Sequence, residues 1–333
     1  METVSILLHT LCVPCACRCR HCMLCWGGKP VGVSWERGQA FALRFKEWQE
    51  THRPELSFNF SFGYSMEHPQ KREALRFLRR VGSPQAEYLQ CDGLAMRDEA
   101  ECIALAQMLA EEGVRQLNFT FFGLPEYHDR FAGRQGDFEL LLRLLRAGTA
   151  AGLSVSAGIA LTSENAAQAD ALVGLLCEAG CETVRLFVPH GEGRGATLEA
   201  IRLTEDAFQG LSDETQKLMN RTIYRPEREW LLPGSFAEET KRSLLISLRS
   251  DNIERYESMD FAALVSEIEA LDDAYYAAFP TLPALSEIYG DKASERFFRQ
   301  RDLFHHYRRL FAKEHVITLC DVTDERQSGS RRF

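Results

Sequence analysis

Short apolar runs alternate with longer amphipathic stretches through the first two thirds of the chain. Six runs have strand character, at residues 4–10, 56–62, 87–91, 116–122, 154–162 and 183–189. Helical periodicity follows them at residues 34–49, 70–81, 98–112, 137–151 and 164–179. After the first unit, strand starts recur every 29 to 38 residues, which is the size of a βαβ unit with a right-handed crossover.

Glycines mark the ends of these predicted helices. Gly82, Gly113, Gly152 and Gly180 each come just after a helical stretch, where a left-handed C-cap favours glycine. Six βα units in a row predict an α/β fold with parallel strands, either doubly wound or curved into a partial barrel. In such folds the active site lies at the carboxyl ends of the strands.

The pattern changes beyond residue 200. Amphipathic stretches at 213–221, 261–279 and 292–313 predict helices, and residues 244–249 predict one more strand. We therefore predict two regions, an α/β barrel region over 1–200 and a mainly helical region over 201–333 that closes the barrel and shapes the substrate site.

Composition and charge exclude several classes of protein. The 333 residues carry 39 Lys and Arg against 48 Asp and Glu, a formal charge of −9, and 45% are hydrophobic. This is an ordinary globular composition, and the acidic balance argues against nucleic-acid and membrane partners. No apolar run approaches the roughly 20 residues that span a bilayer, and the start lacks the features of a signal peptide. We expect a cytoplasmic protein.

The cysteines are concentrated in one place. Six of the eleven fall between Cys12 and Cys25, directly after the first predicted strand. Clustered thiols in a long chain of a reducing compartment indicate a metal rather than disulfides. Only Cys15, Cys19 and Cys22 give a C-x3-C-x2-C spacing, which can hold three irons of a [4Fe-4S] cluster. The pairs Cys12/Cys15 and Cys22/Cys25 leave a four-thiolate zinc site as the alternative.

Further motifs stand at the ends of the other predicted strands. They are Ser61-Phe62-Gly63-Tyr64-Ser65 after the second, Cys91-Asp92-Gly93 after the third, Gly123-Leu124-Pro125-Glu126-Tyr127-His128-Asp129-Arg130 after the fourth, Thr162-Ser163-Glu164-Asn165 after the fifth and Gly191-Glu192-Gly193-Arg194-Gly195 after the sixth. In order and spacing, with the cysteine loop, they resemble the radical S-adenosylmethionine (radical SAM) enzymes. Within that superfamily they are most similar to the sulfatase-maturase and peptide-maturase branch.

The resemblance implies a fold, two cofactors and a reaction. The fold would be a partial (βα)6 barrel. Cys15, Cys19 and Cys22 would bind a [4Fe-4S] cluster whose open iron chelates S-adenosyl-L-methionine. One electron, from a donor such as flavodoxin or ferredoxin, would cleave the sulfonium to a 5′-deoxyadenosyl radical that abstracts hydrogen from a peptide or small-metabolite substrate. Such a site is oxygen-sensitive.

It also implies cofactor contacts. His21 would pack on the adenine, and the other expected contacts to S-adenosylmethionine are Gly63, Ser65, Thr120, Arg130 and Asn165. The second-strand segment lacks the paired glycines and the acid of that superfamily, and whether Glu67 substitutes for the acid is open. For Gly63, Thr120 and Asn165 the alternative is ordinary turn and strand-end hydrogen bonding.

Catalytic and substrate contacts are candidates only. Cys25, His128 and Asp129 are the catalytic candidates, although His128 and Asp129 could instead cap the segment that follows. The predicted polar lining of the substrate site consists of His190, Glu192 and Arg194. Because only Cys320 lies beyond Cys181, we expect none of the auxiliary clusters (SPASM) that many relatives carry.

Three functions remain open from the sequence. The favoured one is a radical SAM enzyme. The second is a zinc or iron–sulfur binding module. The third, suggested by the degenerate second-strand segment, is a catalytically silent relative that acts as a partner protein.

Overall fold

The structure, a computed structural model, describes residues 1–13, 15–22, 32–63, 65–238 and 240–317, with the side chains of 11–13, 62 and 65 excepted. Nine strands run in chain order: β1 (Glu2–Val13), β2 (Ser57–Gly63), β3 (Tyr88–Gln90), β4 (Gln116–Phe121), β5 (Ser154–Ala160), β6 (Thr183–Phe187), β7 (Arg225–Pro226), β8 (Lys241–Ser247) and β9 (Phe297–Phe298). The six predicted βα strands are β1 to β6, and the further predicted strand is β8.

Helices follow the strands and fill the second region. They are α1 (Trp35–His52), α2 (Lys71–Arg80), α3 (Glu99–Glu111), α4 (Pro125–Ala132), α5 (Asp137–Ala150), α6 (Ala169–Glu178), α7 (Glu205–Gln209), α8 (Asp213–Gln216), α9 (Glu227–Trp230), α10 (Ile253–Ser258), α11 (Phe261–Ala277), α12 (Leu282–Tyr289) and α13 (Gln300–His315). In the part of the chain that is described, no helix is both long enough and apolar enough to cross a membrane.

Two parallel sheets carry the six strands. One has the order β2-β1-β8, the other β3-β4-β5-β6, and all their pairings are parallel. A short antiparallel pair, β7 with β9, lies apart from them. The predicted fold class, α/β with parallel strands and a mainly helical C-terminal region, is confirmed. The helical region also supplies β8, which pairs with β1 directly, so the second region completes a sheet of the first.

Strand alternation decides which face of each sheet packs on helices. In the three-stranded sheet, Ile6, Leu8, Phe58, Phe60, Leu244 and Ile246 form one core with α1, α2 and α11. In the four-stranded sheet, Leu117, Phe119 and Phe121 of β4 belong to a second core with α3 and α5. Alternate residues point the other way, and many of them are polar, such as His9, Asn59, Asn118, Thr120 and Ser156. The face opposite the helices is therefore rich in hydrogen-bonding groups.

Three sequence-based helix predictions need correction, and several helices, among them α4, were not predicted. Helix α4 was not predicted, since residues 125–132 form barely two turns between a proline and a glycine. The helix predicted at 213–221 is only α8, four residues long. The helix predicted at 292–313 begins at Gln300, because Phe297–Phe298 is extended and pairs with β7. The helix predicted at 164–179 begins with a separate 3-10 turn, Ala166–Gln168, before α6.

Candidate functional site

The cysteine loop, residues 15–22, lies across the carboxyl ends of the parallel strands. Ala16 N donates to Gly93 O, in the turn after β3, at 2.8 Å, and Arg18 N donates to Ala132 O at the end of α4, also at 2.8 Å. The backbone of the loop is thus tied to two of the strand-end segments that the sequence motifs identified.

Two glycines allow this close approach. A Cβ placed on Gly133 would lie 3.0 Å from Arg18 O, and Gly133 has a φ of +67°. A Cβ on Gly195 would lie 2.0 Å from His190 O and 3.3 Å from His21 O. A Cβ cannot lie 2.0 Å from an oxygen, so any larger residue at Gly195 would displace the segment after β6. At Gly133 the contact would be tight and the positive φ strained, so a larger residue there would press on Arg18 of the loop.

Three of the thiols in the loop differ from the fourth. Cys15, Cys19 and Cys22 are partly exposed and form no disulfide, whereas Cys17 is buried. The Cys17 Sγ donates to Asp137, with both carboxylate oxygens 3.6 Å away. Cys17 is therefore held by α5, which leaves the thiols of the predicted C-x3-C-x2-C set as the accessible ones.

No three His, Cys, Asp or Glu side chains converge on a single-ion site within the described residues. A [4Fe-4S] cluster does not require the three thiolates to converge on one ion, because each thiolate binds a different iron. The zinc alternative also needs the thiols of Cys12 and Cys25, which lie outside the described side chains.

His21 packs against the aromatic residues that surround the loop. Its ring centroid lies 5.0 Å from that of Phe122 and 5.7 Å from that of Phe131. Burial lowers the pKa of His21 to about 4, and the charges of His190 and Arg194 act in the same direction. Nδ1 of this neutral imidazole is enclosed without a hydrogen-bond partner, so it can still bond to a bound group.

The segment after β2 contains Gly63, Ser65 and Glu67. Gly63 ends the strand with a φ of +86°, and Ser65, whose side chain lies outside the described set, opens a 3-10 turn. Glu67 Oε1 accepts from Ala95 N at 2.8 Å and from Arg97 Nη1 at 2.7 Å. The Glu67 carboxylate therefore joins this segment to the loop after β3.

Thr120, near the end of β4, is bonded to the turn after β3. Its backbone N donates to Asp92 Oδ1 at 2.7 Å, and its Oγ1 accepts from Gln90 Nε2 at 3.3 Å. Burial raises the pKa of Asp92 to about 6. The sequence analysis assigned Asp92 no role beyond its place in the motif after the third strand. In the structure its carboxyl group lies beside Thr120, a predicted contact to S-adenosylmethionine.

Asn165 uses all its hydrogen-bonding capacity within the protein. Its Oδ1 accepts from Thr162 N at 2.7 Å and from Thr162 Oγ1 at 3.0 Å. Its Nδ2 donates to Phe122 O and, at 2.8 Å, to Ala160 O. This buried amide joins the ends of β4 and β5, which is the strand-end role that the sequence left open.

Asp129 caps the start of α5. Its carboxylate accepts from Gly136 N at 2.6 Å and from Phe138 N at 2.9 Å. This arrangement matches the capping alternative for Asp129, because both donors are otherwise unbonded N–H groups of a helix start.

His128 is fully buried and links α4 to α5. Its Nδ1 accepts from Phe122 N at 3.2 Å, so Nε2 carries the proton and donates to Asp137 Oδ2 at 3.1 Å. Burial acts to raise the pKa of Asp137, but hydrogen bonds from His128 and Arg134 hold it below its usual value. Sequence reasoning missed Asp137, and its only signal was an acidic residue at a helix start.

Arg130 lies on the exposed face of α4. Its guanidinium is 5.0 Å from the centroid of the Tyr127 ring and 3.9 Å from the Glu126 carboxylate. The structure places it apart from the enclosed groups around the cysteine loop.

The segment after β6 brings two of the three predicted substrate-lining residues, His190 and Arg194, close to the loop. Arg194 N donates to Cys22 O at 3.1 Å, and its Nε and Nη2 are enclosed without hydrogen-bond partners. Burial lowers the pKa of His190. Glu192 is directed elsewhere, with its Oε1 2.9 Å from His305 Nε2.

A second set of enclosed polar atoms lies on the three-stranded sheet. His9 is paired in register with Ser61 of β2 and Ser247 of β8, and Leu7 is paired with Asn59. His9 Nε2, Asn59 Oδ1 and Ser247 Oγ are buried and have no hydrogen-bond partner. Sequence reasoning missed this set, although the polar residues at every second position of the predicted strands were its signal.

Comparisons with known proteins give distant structural matches only. No protein-family model matches the chain, and no curated protein matches it. Among solved structures, Streptococcus suis SuiB bound to S-adenosylmethionine matches with a TM-score of 0.49 and 11% identity, over 73% of this chain and 58% of that one.

Two further structures are similar at lower scores. The native protein anSMEcpe with bound AdoMet and the Cp18Cys peptide has a TM-score of 0.41 and 16% identity, over 57% of this chain and 52% of that one. Escherichia coli coproporphyrinogen III oxidase (HemN), described as a radical SAM enzyme, has a TM-score of 0.37 and 16% identity, over 64% of this chain and 48% of that one.

This chain spans 40% of SuiB in its complex with the precursor peptide SuiA, so it covers less than two thirds of the length of the proteins it resembles. With TM-scores below 0.5, these matches carry no inference about activity.

Proposed function

We propose that this chain is a radical SAM enzyme that binds a [4Fe-4S] cluster through Cys15, Cys19 and Cys22. The observation that carries the proposal is the position of this C-x3-C-x2-C set. Its loop is hydrogen-bonded to the turn after β3 and to α4, at the end of the sheet where active sites of parallel α/β folds lie.

The donor set around the loop fits both cofactors. The thiols of Cys15, Cys19 and Cys22 are partly exposed and form no disulfide. The fourth thiol, Cys17, is buried and donates to Asp137. Among the described residues, Nδ1 of His21 and Nε and Nη2 of Arg194 are enclosed without a hydrogen-bond partner. Thiolates suit iron, and a guanidinium suits an anionic group such as a carboxylate.

When bound, the cluster and S-adenosylmethionine would supply a 5′-deoxyadenosyl radical that abstracts a hydrogen atom from the substrate. The protein's own residues would orient the groups and exclude water. Asp137 and His128 hold the loop on α5, Phe122 and Phe131 cover it with apolar surface, and Arg194 donates to an anionic group beside Cys22.

The substrate class we propose is a peptide or a small polar metabolite. The unpartnered atoms of His9, Asn59 and Ser247 support it, since they offer hydrogen bonds on the face away from the helices. A peptide backbone, which alternates donors and acceptors, would satisfy them.

Anaerobic reconstitution with iron and sulfide tests the proposal. The wild type should bind about four irons with acid-labile sulfide, and with a reductant and S-adenosylmethionine it should release 5′-deoxyadenosine. Cys19→Ser should lose both. Cys17→Ser, the matched control in the same loop, keeps a donor for Asp137 and should keep both. Replacing the chemical reductant with reduced flavodoxin or ferredoxin tests the proposed electron donor.

Two results would favour the other functions. One zinc per chain without labile sulfide would indicate a zinc module. A complete cluster that binds S-adenosylmethionine weakly and never cleaves it would indicate a catalytically silent partner protein.

A further inference from the structure

A second candidate binding site lies in the helical region, around Arg308 of α13. The Arg308 side chain is only 2% exposed. Its Nε, Nη1 and Nη2 are all buried, and none of them has a hydrogen-bond partner. A buried charge without a paired or hydrogen-bonded partner is costly, so the position needs an explanation.

Aromatic rings surround the guanidinium. Its central carbon lies 3.5 Å from the ring centroid of Phe304, 4.2 Å from that of Tyr276, 4.8 Å from that of Tyr275 and 5.2 Å from that of Phe279. Ring faces attract a cation, but they are poor acceptors for the five N–H groups of a guanidinium. The rings hold the charge without satisfying its hydrogen bonds.

Another buried arginine of the helical region, Arg202, has the hydrogen-bond acceptors that Arg308 lacks. Arg202 also lies over a ring, 4.2 Å from the centroid of Phe298. Its Nη2 donates to Glu199 at 3.1 Å and its Nη1 donates to Phe297 O at 3.2 Å. Both guanidinium groups lie over aromatic rings, but only that of Arg202 has hydrogen-bond acceptors among the described residues.

A cavity of about 520 Å³ adjoins Arg308. Its wall includes the rings of Tyr276, Phe279 and Phe304 together with Leu282. The volume lies in the range of small-molecule sites, which combine an apolar wall with a few polar groups.

Two acidic residues also line this cavity, Glu238 and Asp273. Asp273 Oδ1 accepts from Arg242 Nη1, and Glu238 is exposed. Neither is hydrogen-bonded to Arg308 within the described residues, so the guanidinium keeps its capacity for an added acceptor. Because the surrounding rings enclose its nitrogens, an acceptor in the cavity would reach them only when a ring shifts.

We propose that the Arg308 cavity binds a monocarboxylate with an apolar body. The carboxylate would accept two N–H bonds from the guanidinium, the fork geometry that arginine favours. The apolar body would pack on Phe279, Phe304 and Leu282. This site is independent of the proposed radical chemistry.

Calorimetric titration of the full chain with 3-phenylpropionate and its neutral analogue 3-phenylpropanamide tests the proposal. Hydrogen bonds to a charged group are stronger than those between neutral groups, so the acid should bind at least about tenfold more tightly than the amide. The net charge of −9 disfavours non-specific anion binding, so a preference for the acid reports on a local site.

Variants locate the preference. Arg308→Met keeps the length and apolar stem of the side chain and should bind acid and amide within about twofold. Arg308→Lys should retain part of the preference. Arg225→Met is the matched control, because Arg225 also lies over a ring, 4.4 Å from the centroid of Trp230, but lines a different surface; it should behave as the wild type does.

Titration with a peptide ligand distinguishes a peptide C-terminus from a free carboxylic acid as the natural ligand. N-acetyl-Ala-Phe and its C-terminal amide should show the preference if the natural ligand is a peptide C-terminus, and 3-phenylpropionate alone should show it if the ligand is a free acid. Equal binding of acid and amide by the wild type, or binding of neither acid, would overturn the proposal. If Arg308→Met does not fold by circular dichroism, the wild-type pairs and Arg308→Lys still decide.

Discussion

The two parallel sheets differ in how their buried polar groups are hydrogen-bonded. At the end of the four-stranded sheet, Asn165 makes four hydrogen bonds within the protein. At the three-stranded sheet, His9 Nε2, Asn59 Oδ1 and Ser247 Oγ are buried and make none.

This difference indicates that the four-stranded sheet has a structural role and that the three-stranded sheet faces a ligand. Unsatisfied buried groups cost stability, and a fold tolerates several on one face when another molecule satisfies them. We infer that the four-stranded sheet fixes the cysteine loop, through the turn after β3 and α4, and that the three-stranded sheet offers hydrogen bonds to what binds beside it.

The largest expected effect is the loss of Asn165. Asn165→Ala removes one partner from each of four hydrogen bonds and leaves buried carbonyls unpaired, so the free energy of unfolding should fall by about 3 kcal/mol or more. Asn59→Ala, the matched change on the other sheet, should alter it by less than about 0.5 kcal/mol. Urea unfolding of both variants measures the difference, and equal losses would contradict the contrast.

The next effect is a pH dependence that comes from His9. Burial lowers the pKa of His9 to about 4 from 6.5, so between these values the unfolded chain binds a proton that the folded chain does not. Stability is therefore lost as the pH falls from 6.5 towards 4.

His9→Gln isolates this term. Between pH 7 and pH 5 the wild type should lose about 2 kcal/mol more than the variant does. If the free energy of unfolding depends on pH in the same way in both proteins, the pKa of His9 is not lowered, which would contradict this prediction.

A smaller effect is expected at Asp129, on the scaffold side. Asp129→Ala removes the cap of α5 and should cost about 1–2 kcal/mol. Asp129→Asn should recover much of this, because an amide oxygen still accepts from Gly136 N and Phe138 N. Thermal melts at neutral pH compare the three proteins, and a loss as large in Asp129→Asn as in Asp129→Ala would argue for a role that needs the charge.

The smallest effect is expected at Arg130. Its side chain is exposed, and the one ion pair that it forms with the described residues, to Glu126 at 3.9 Å, is long. Arg130→Gln should therefore change stability by less than about 0.5 kcal/mol. If Arg130 binds S-adenosylmethionine, as the sequence resemblance implies, the variant should instead weaken cofactor binding in an equilibrium titration. That titration decides between the two expectations.

The sequence predicted much of the fold because its signals are local. The two-residue period of β1 to β6 and the helical period between them follow from how neighbouring side chains point. Gly82, Gly113, Gly152 and Gly180 do have the positive φ expected of them. Helix α4 was missed because eight residues give too short a period to recognise.

Candidate site residues were found by type and spacing, but their roles were not. The sequence gives Asn165 and Asn59 the same chemistry, and it places Cys17 among six similar cysteines. Only folding brings Thr162, Phe122 and Ala160 to the side-chain amide of Asn165. It also leaves Oδ1 of Asn59 without a hydrogen-bond partner among the described residues and places Asp137 beside Cys17.

By itself, the sequence determined the order of strands and helices and the cysteine spacing, since both depend on residues close together in the chain. The tertiary structure decided that β8 pairs with β1, from more than 200 residues away, and which buried polar groups are satisfied. Pairing between distant segments and hydrogen-bond satisfaction depend on contacts that no local period encodes.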